Sequence, residues 1–231
     1  MLASTSTAPT AATATELPFD DMPTWPRIGK GLRALRRLRD NPDDTELALR
    51  AALLLNTGAL ARTLTKFESS EEGREVLAAR PALDHHHVDL DALAALPGDT
   101  LGYAYAHFLK SRGLSLEVFV PPREIRDERK RYIGQRLRQT HDLWHVITGY
   151  NTDLPGEVEL QAFSFGQLRT PFAFFVALGG TLKPENQRSE ILPRVLRAYW
   201  RGRKAKQLCY LGWEKRFKLP LADVRVELGL A

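Results

Sequence analysis

From Arg27 to Arg39 the apolar residues Ile28, Leu32, Leu35 and Leu38 recur at helical spacing among basic ones, predicting an amphipathic first helix ended by Asn41-Pro42. Asp43, Asp44 and Thr45 then offer N-cap oxygens, and Leu47, Leu49, Ala51, Ala52, Leu54 and Leu55 run towards Gly58, with Leu60, Leu64 and Phe67 beyond. A second, mostly buried helix fits that run. Glu71 to Pro97 is broken by Pro81 and Pro97 around the polar Asp84-His85-His86-His87, and the turn Pro97-Gly98-Asp99-Thr100 caps a helix from Leu101 to about Lys110. Arg123 to Thr148, opened by Pro121 and Pro122 and stopped by Gly149, reads as one long helix in which Ile125, Tyr132, Ile133, Leu137, Trp144 and Ile147 alternate with charges. The loop Tyr150 to Gly156 leads to a helix from Glu157 to Leu168, and the two helices should form an antiparallel hairpin. An apolar stretch from Phe172 to Leu178 follows, Glu190 to Phe217 is helical in pattern, and Pro220 precedes a short closing helix. Leu116 to Val120 is the one short strand candidate. The expected fold is all-α: a single-domain helical bundle around that central hairpin, from residue 25 to 231, after a disordered tail over residues 1–24.

Composition sets bounds on that picture. With 231 residues, 43% of them hydrophobic, the chain can bury a sizeable core. Thirty-three basic against 28 acidic residues give a net charge of +5, mild in total and compatible with an anionic partner. Cys209 stands alone, so no intramolecular disulfide forms and nothing points to an oxidising compartment; the cytoplasm, or a membrane face bathed by it, is the expected location. The longest apolar stretch, Pro171 to Leu182, is shorter than the roughly 20 residues a spanning helix needs and holds two glycines, so membrane contact should be peripheral. Met1 to Glu16 is rich in Ala, Thr, Ser and Pro, with neither a basic n-region nor an apolar h-region, and reads as a flexible tail rather than a secretory signal or a mitochondrial presequence.

Candidate chemistry centres on four residues. On a helix, residues four apart share a face, so His141 and His145 can aim both imidazoles at one point. Asp142 lies about 100° around the same helix, within reach of the same ion or of a supporting position. Glu157, in the first turn after the loop, comes back level with His145 when the chain reverses. Two imidazoles with one or two carboxylates suit zinc, iron(II) or manganese, and three or four protein ligands leave a position for water or substrate. The alternative is a pair of satisfied polar histidines on a helix beside a surface carboxylate. The pattern is not the zinc-protease H-E-x-x-H, because Asp142 stands where that motif has its general base.

Other clusters carry less. The adjacent His85, His86 and His87 point in different directions from loop-like surroundings, as in a solvated turn. Phosphate loops, a dinucleotide fingerprint, a nucleophile elbow and a cysteine cluster are absent, no nucleic-acid partner is expected, and Cys209 reads as a small buried hydrophobe. Arg136 and Arg138, the basic residues nearest the motif, are candidates to bind a substrate carboxylate or phosphate. The segment Arg194 to Lys218 interleaves many Arg and Lys with Tyr199, Trp200, Tyr210, Trp213 and Phe217; it could lie on an anionic bilayer, grip phosphates or form the solvated side of a core helix.

At this point the residues resemble a known family. The motif His141-Asp142-Leu143-Trp144-His145, followed by eleven residues and Glu157 with Gly156 before it, is similar to the hallmark of the Coq-four family of ubiquinone (coenzyme Q) biosynthesis. Arg39 to Thr45, Leu96 to Tyr103, Phe163 with Gln167, Trp213-Glu214, Pro220-Leu221 and Arg225 to Gly229 extend the similarity from about Ile28 to the C-terminus. Ser164 departs from it, standing where an acidic residue is expected. The resemblance implies an all-helical fold with zinc or another divalent metal at His141, Asp142, His145 and Glu157, and association with membranes and with other ubiquinone-biosynthesis proteins. It implies either a scaffold or an enzyme that removes the C1 carboxylate of a polyprenylated hydroxybenzoate, coupled to hydroxylation there. A metal could stabilise the charge that develops as CO2 leaves while Arg136 or Arg138 holds the acid. The isoprenoid tail would need an apolar groove, for which Phe172, Phe174, Phe175, Leu178 and the face near Trp200 are candidates, ordinary core being the alternative. A homodimer is compatible with this picture.

Overall fold

The computed structural model describes residues 17–41, 44–116, 123–182 and 188–231. The expected all-α class holds: among the described residues no strand forms, and the one β-type contact is an isolated antiparallel bridge between Thr100 and Pro220. The helices are α1 (Thr24–Asp40), α2 (Thr45–Glu68), α3 (Glu71–Ala79), α4 (Leu90–Ala94), α5 (Leu101–Ser111), α6 (Glu128–Gln139), α7 (His141–Thr148), α8 (Leu154–Leu168), α9 (Pro171–Thr181), α10 (Arg188–Lys204) and α11 (Leu221–Leu228), with a 3-10 turn at Trp213–Lys215. Side-chain caps start many of them: the oxygens of Asp44, Ser70, Asp89, Thr100, Asp127 and Asp153 accept from the otherwise unpartnered N–H groups of the first turn.

Three expectations change. The tail expected over residues 1–24 falls partly outside the described residues, but from Leu17 onward the chain is placed, and Phe19 is 1% exposed in the core. Asp20 accepts hydrogen bonds from the backbone of Arg126 and Asp127, which ties this segment to the start of α6. The single helix expected from Arg123 to Thr148 starts only at Glu128, behind the Asp127 cap, and divides at Thr140. There the hydroxyl of Thr140 donates back to the Arg136 carbonyl at 2.9 Å, and such back-bonding bends a helix. The helix expected to reach Phe217 ends at Lys204 because the buried Gln167 side chain takes over the backbone: its amide donates to the carbonyls of Gly202 and Lys206, and its oxygen accepts from Leu208. The strand candidate Leu116 to Val120 lies mostly outside the described residues, and Leu116 itself is not in a strand.

One core runs through the molecule, with Phe67, Leu101, Tyr105, Ile133, Ile147, Phe163 and Trp213 buried in it. α8 is its spine and packs chiefly on α10 and α9, while the largely buried α7 packs against α5, α6, α8 and α11. The α7–α8 corner carries the four motif residues.

Candidate metal centre

His141 is the first residue of α7 and His145 lies one turn on; their rings stand perpendicular with centroids 5.0 Å apart. The chain reverses through Gly149, in the left-handed conformation at φ 77°, and re-enters a helix behind the Asp153 cap. Glu157 thereby reaches both histidines, its Oε2 lying 3.1 Å from His145 Nε2 and 3.5 Å from His141 Nε2. Gly156 is required for this return, since a Cβ there would stand 2.2 Å from the Asn151 carbonyl oxygen and 2.7 Å from two further backbone atoms of Asn151.

Neighbours fix the orientation of two of these groups. His145 is 2% exposed, and its Nδ1 lies 3.0 Å from the Tyr150 carbonyl. A carbonyl can only accept, so this nitrogen carries a proton and Nε2 is the atom directed at Glu157. On the carboxylate, Gln161 Nε2 donates to Oε1 at 2.7 Å, leaving Oε2 for the histidines. The Phe108 ring stacks on the His145 ring at 5.8 Å and 20°, and the Arg112 guanidinium lies 4.0 Å over Phe108 while donating to Asn151 and Thr152 of the loop. Burial acts to raise the pKa of Glu157, but the hydrogen bonds from His141 and His145, the His141 charge and Gln161 outweigh it, holding the carboxyl well below its usual range. Burial acts to lower that of His141, but the hydrogen bond and charge of Glu157, with the charge of Asp142, raise it overall against the opposing Arg138 charge.

The potential ligand atoms of His141, His145 and Glu157 all lie within 4.8 Å of one another. Two imidazole nitrogens and one carboxylate oxygen are the donor set of a three-ligand catalytic site for zinc, and iron(II) or manganese also take it. Each anchored ligand presents one free donor atom to the shared point, so the residues fit such an ion.

Asp142 falls outside this group. Its carboxylate acts on His141 and Tyr105 through its charge. Arg136 cannot serve a substrate as expected: it is 0% exposed and forms a two-pronged ion pair with Glu214, at 2.6 and 2.9 Å, with further bonds to the carbonyls of Leu211 and Pro81. A desolvated guanidinium needs such a partner, and withdrawing it to reach a ligand would strand the pair. Arg138 is half-buried and close enough for its charge to act on His141. Phe172 and Phe175 lie half-buried on α9, the helix that follows α8 and packs on it, beside the exposed Phe174. Gln161 escaped the sequence reading although it stands four residues after Glu157, the spacing of helix-face partners. The Tyr150 carbonyl, Phe108 and Arg112 leave no local signal.

Outside this corner, His85, His86 and His87 form the exposed turn expected of them, His87 bonding the buried Asp84 beside a surface cleft of about 560 Å³. Cys209 is buried, and burial pushes its thiol up to about 12, which keeps it an inert thiol.

Comparison with known proteins adds three findings. A family model described as coenzyme Q (ubiquinone) biosynthesis protein Coq4 matches residues 32–231. A mitochondrial ubiquinone biosynthesis protein COQ4 homolog of Drosophila ananassae is 31% identical over 175 residues, covering 75% of this chain and 66% of the relative. The mitochondrial COQ4 of Meyerozyma guilliermondii is 32% identical over 179 residues, covering 75% of this chain and 56% of the relative, so the chain spans less than two thirds of the length of these curated relatives. A crystal structure from Nostoc punctiforme shares the fold, with a TM-score of 0.71 at 24% identity, over 87% of this chain and 97% of that one.

Proposed function

Because this chain belongs to the Coq4 family of coenzyme Q (ubiquinone) biosynthesis proteins, we propose that it is a metal-dependent enzyme of that synthesis, removing the C1 carboxylate of a polyprenylated hydroxybenzoate and placing a hydroxyl there. The observation that carries this reading is the convergence of His141, His145 and Glu157 on one point. A bound zinc, iron or manganese ion would supply Lewis acidity, polarising a phenolate or carboxylate oxygen of the head group. His145 and Glu157, each anchored at its other atom, hold their donors in place before the substrate arrives. His141 and Glu157 are partly exposed, and a head group enters from their side. Arg138 holds the acid. The bond from C1 to the carboxylate carbon breaks with loss of CO2. One atom of dioxygen takes its place, and the other leaves as water at the expense of an external two-electron donor.

The test is metal-stripped protein reloaded separately with zinc, iron or manganese and given, under oxygen and a reductant, a polyprenyl-hydroxybenzoate labelled at its carboxyl carbon. Labelled CO2 released with one of the metals is the expected result. A folded, metal-loaded protein that leaves the substrate intact with all three sinks the enzymatic reading in favour of a metal-stabilised, lipid-binding scaffold that assembles other ubiquinone-biosynthesis proteins.

The same reading puts the protein on a bilayer surface, where a polyprenylated substrate resides, peripherally on the cytoplasmic face of an inner membrane. No helix of the described residues is long and apolar enough to cross a membrane. What supports peripheral docking is a stripe of exposed apolar residues, Leu192, Leu196 and Trp200, along α10, with Phe174 and Leu178 exposed on the neighbouring α9. Arg203 and Lys204 are exposed at the end of that stripe, suiting anionic headgroups. In vesicle flotation, the protein should rise with anionic vesicles and, with Leu196→Asp and Trp200→Asp combined, should stay mostly at the bottom; flotation undiminished by the pair would remove this face from the docking surface.

A further inference from the structure

The helix that carries both histidines has only eight residues, and a two-turn helix is marginal without outside support. Its last four carbonyls lack intrahelical partners by construction. Here all four are taken. The Gly149 amide donates to His145 at 2.8 Å. Arg225 of α11 donates from Nη2 to the Val146 carbonyl at 2.9 Å and from Nε to Ile147 at 3.0 Å. Arg201 of α10 donates from Nη1 to Thr148 at 2.6 Å and from Nη2 to Leu230 at 2.9 Å. Arg201 also lies 5.5 Å over the ring of Tyr150, the residue whose carbonyl orients His145.

Both guanidiniums are half-buried, and none of their described hydrogen bonds goes to a carboxylate. Cations at a helix C-terminus complement its dipole, but two such charges behind a site for another cation oppose that cation electrostatically. We infer that Arg225 and Arg201 are positioning residues for the metal centre: they clamp the C-terminus of α7 so that His141 and His145 keep one shared aim point. This inference rests on the reading of His141, His145 and Glu157 as metal ligands. It adds that the C-terminal helices, far from the motif in sequence, complete the site from behind.

The sign of the effect separates clamping from charge. If the two arginines acted only as charges, removing one would relieve repulsion and tighten metal binding. As clamps, their removal weakens it by about 10–100-fold, the usual cost of losing a group that orients a ligand. The experiment titrates Co²⁺ into full-length wild type, Arg225→Gln, Arg201→Gln and Arg225→Lys, reading affinity and the visible ligand-field spectrum at saturation. Val76→Ala, at a buried position on α3, serves as a destabilised control. Affinity should fall for both Gln variants, with an altered spectrum for Arg225→Gln, recover in part for Arg225→Lys, which keeps the charge and one donor group, and stay at wild type for Val76→Ala. Unchanged or tighter binding by Arg225→Gln overturns the clamp, as does an equal loss in the control. If wild type itself binds no Co²⁺, the metal reading fails, and amide exchange of α7 decides the anchoring alone: faster exchange in Arg225→Gln sustains it, unchanged exchange removes it.

Discussion

Glu157→Gln should lower metal-dependent turnover by at least about 100-fold, since a correctly held metal supplies several kcal/mol and each 1.36 kcal/mol is a factor of ten. The isosteric change keeps the packing but reverses the chemistry of one atom. Gln161 donates to Oε1, so the new amide turns its oxygen that way and presents its NH2 to the shared point where Oε2 had been. Neutral imidazoles accept from that NH2, so the fold survives while the site loses its anion and one ligand. In metal-free protein the same substitution changes the pH dependence of melting. His141 is raised above 6.5, so the stability it draws from Glu157 is present at lower pH and fades as pH rises through its folded-state value. Glu157 is lowered below 4.5, so its share is present above that pH and is lost only in strong acid. The two shifts describe one interaction. Wild type should exceed Glu157→Gln in melting temperature mainly between these limits, and the two curves should converge at alkaline pH. Equal turnover by the two proteins with measured metal loaded would show that Glu157 is not part of the reacting centre.

Why these residues were legible before the fold, and others were not, follows from how each makes its contacts. His141 and His145 are on one short helix and Glu157 is in the first turn of the next, so local periodicity and a short loop bring them together. Most helices were readable for the same reason, because residues such as Asp44 and Thr100 mark starts by a local hydrogen bond. Boundaries failed where a distant side chain captured the backbone. Gln167 ends α10 from another helix, and Asp20 helps set the start of α6 from 106 residues before Arg126. Arg136 misled because nearness in sequence to His141 says nothing of direction: it points to Glu214, 78 residues away, and not to the site. Arg201 and Arg225 were hidden by the same distance, since a guanidinium that caps a backbone carbonyl leaves no pattern in the residue it serves.

The largest loss of stability around the site should come from the smallest substitution, Gly156→Ala. A methyl group there would meet the Asn151 carbonyl oxygen at 2.2 Å and Asn151 backbone carbon and nitrogen at 2.7 Å, and backbone atoms in a capped loop cannot swing aside as a flexible side chain would. The loop must move, and it carries both the Tyr150 carbonyl that orients His145 and the Asp153 cap that starts α8 one turn before Glu157. Overpacking of this kind costs about 1–3 kcal/mol, which in a chain of this size lowers the melting temperature by roughly 2–4 °C per kcal/mol. Gly58→Ala is the matching control: Gly58 is an exposed residue within α2 with nothing within 4 Å of its added Cβ, so the change should be neutral or stabilising by up to about 1 kcal/mol through helix propensity alone. Melting curves of the two variants, with cobalt titrations at a temperature where both are folded, check the argument. Gly156→Ala should lose both stability and metal affinity while Gly58→Ala loses neither. If Gly156→Ala melts low yet binds metal as wild type does, the loop relaxes without moving its histidine and carboxylate contacts, and the Tyr150 carbonyl is not what holds His145 in place.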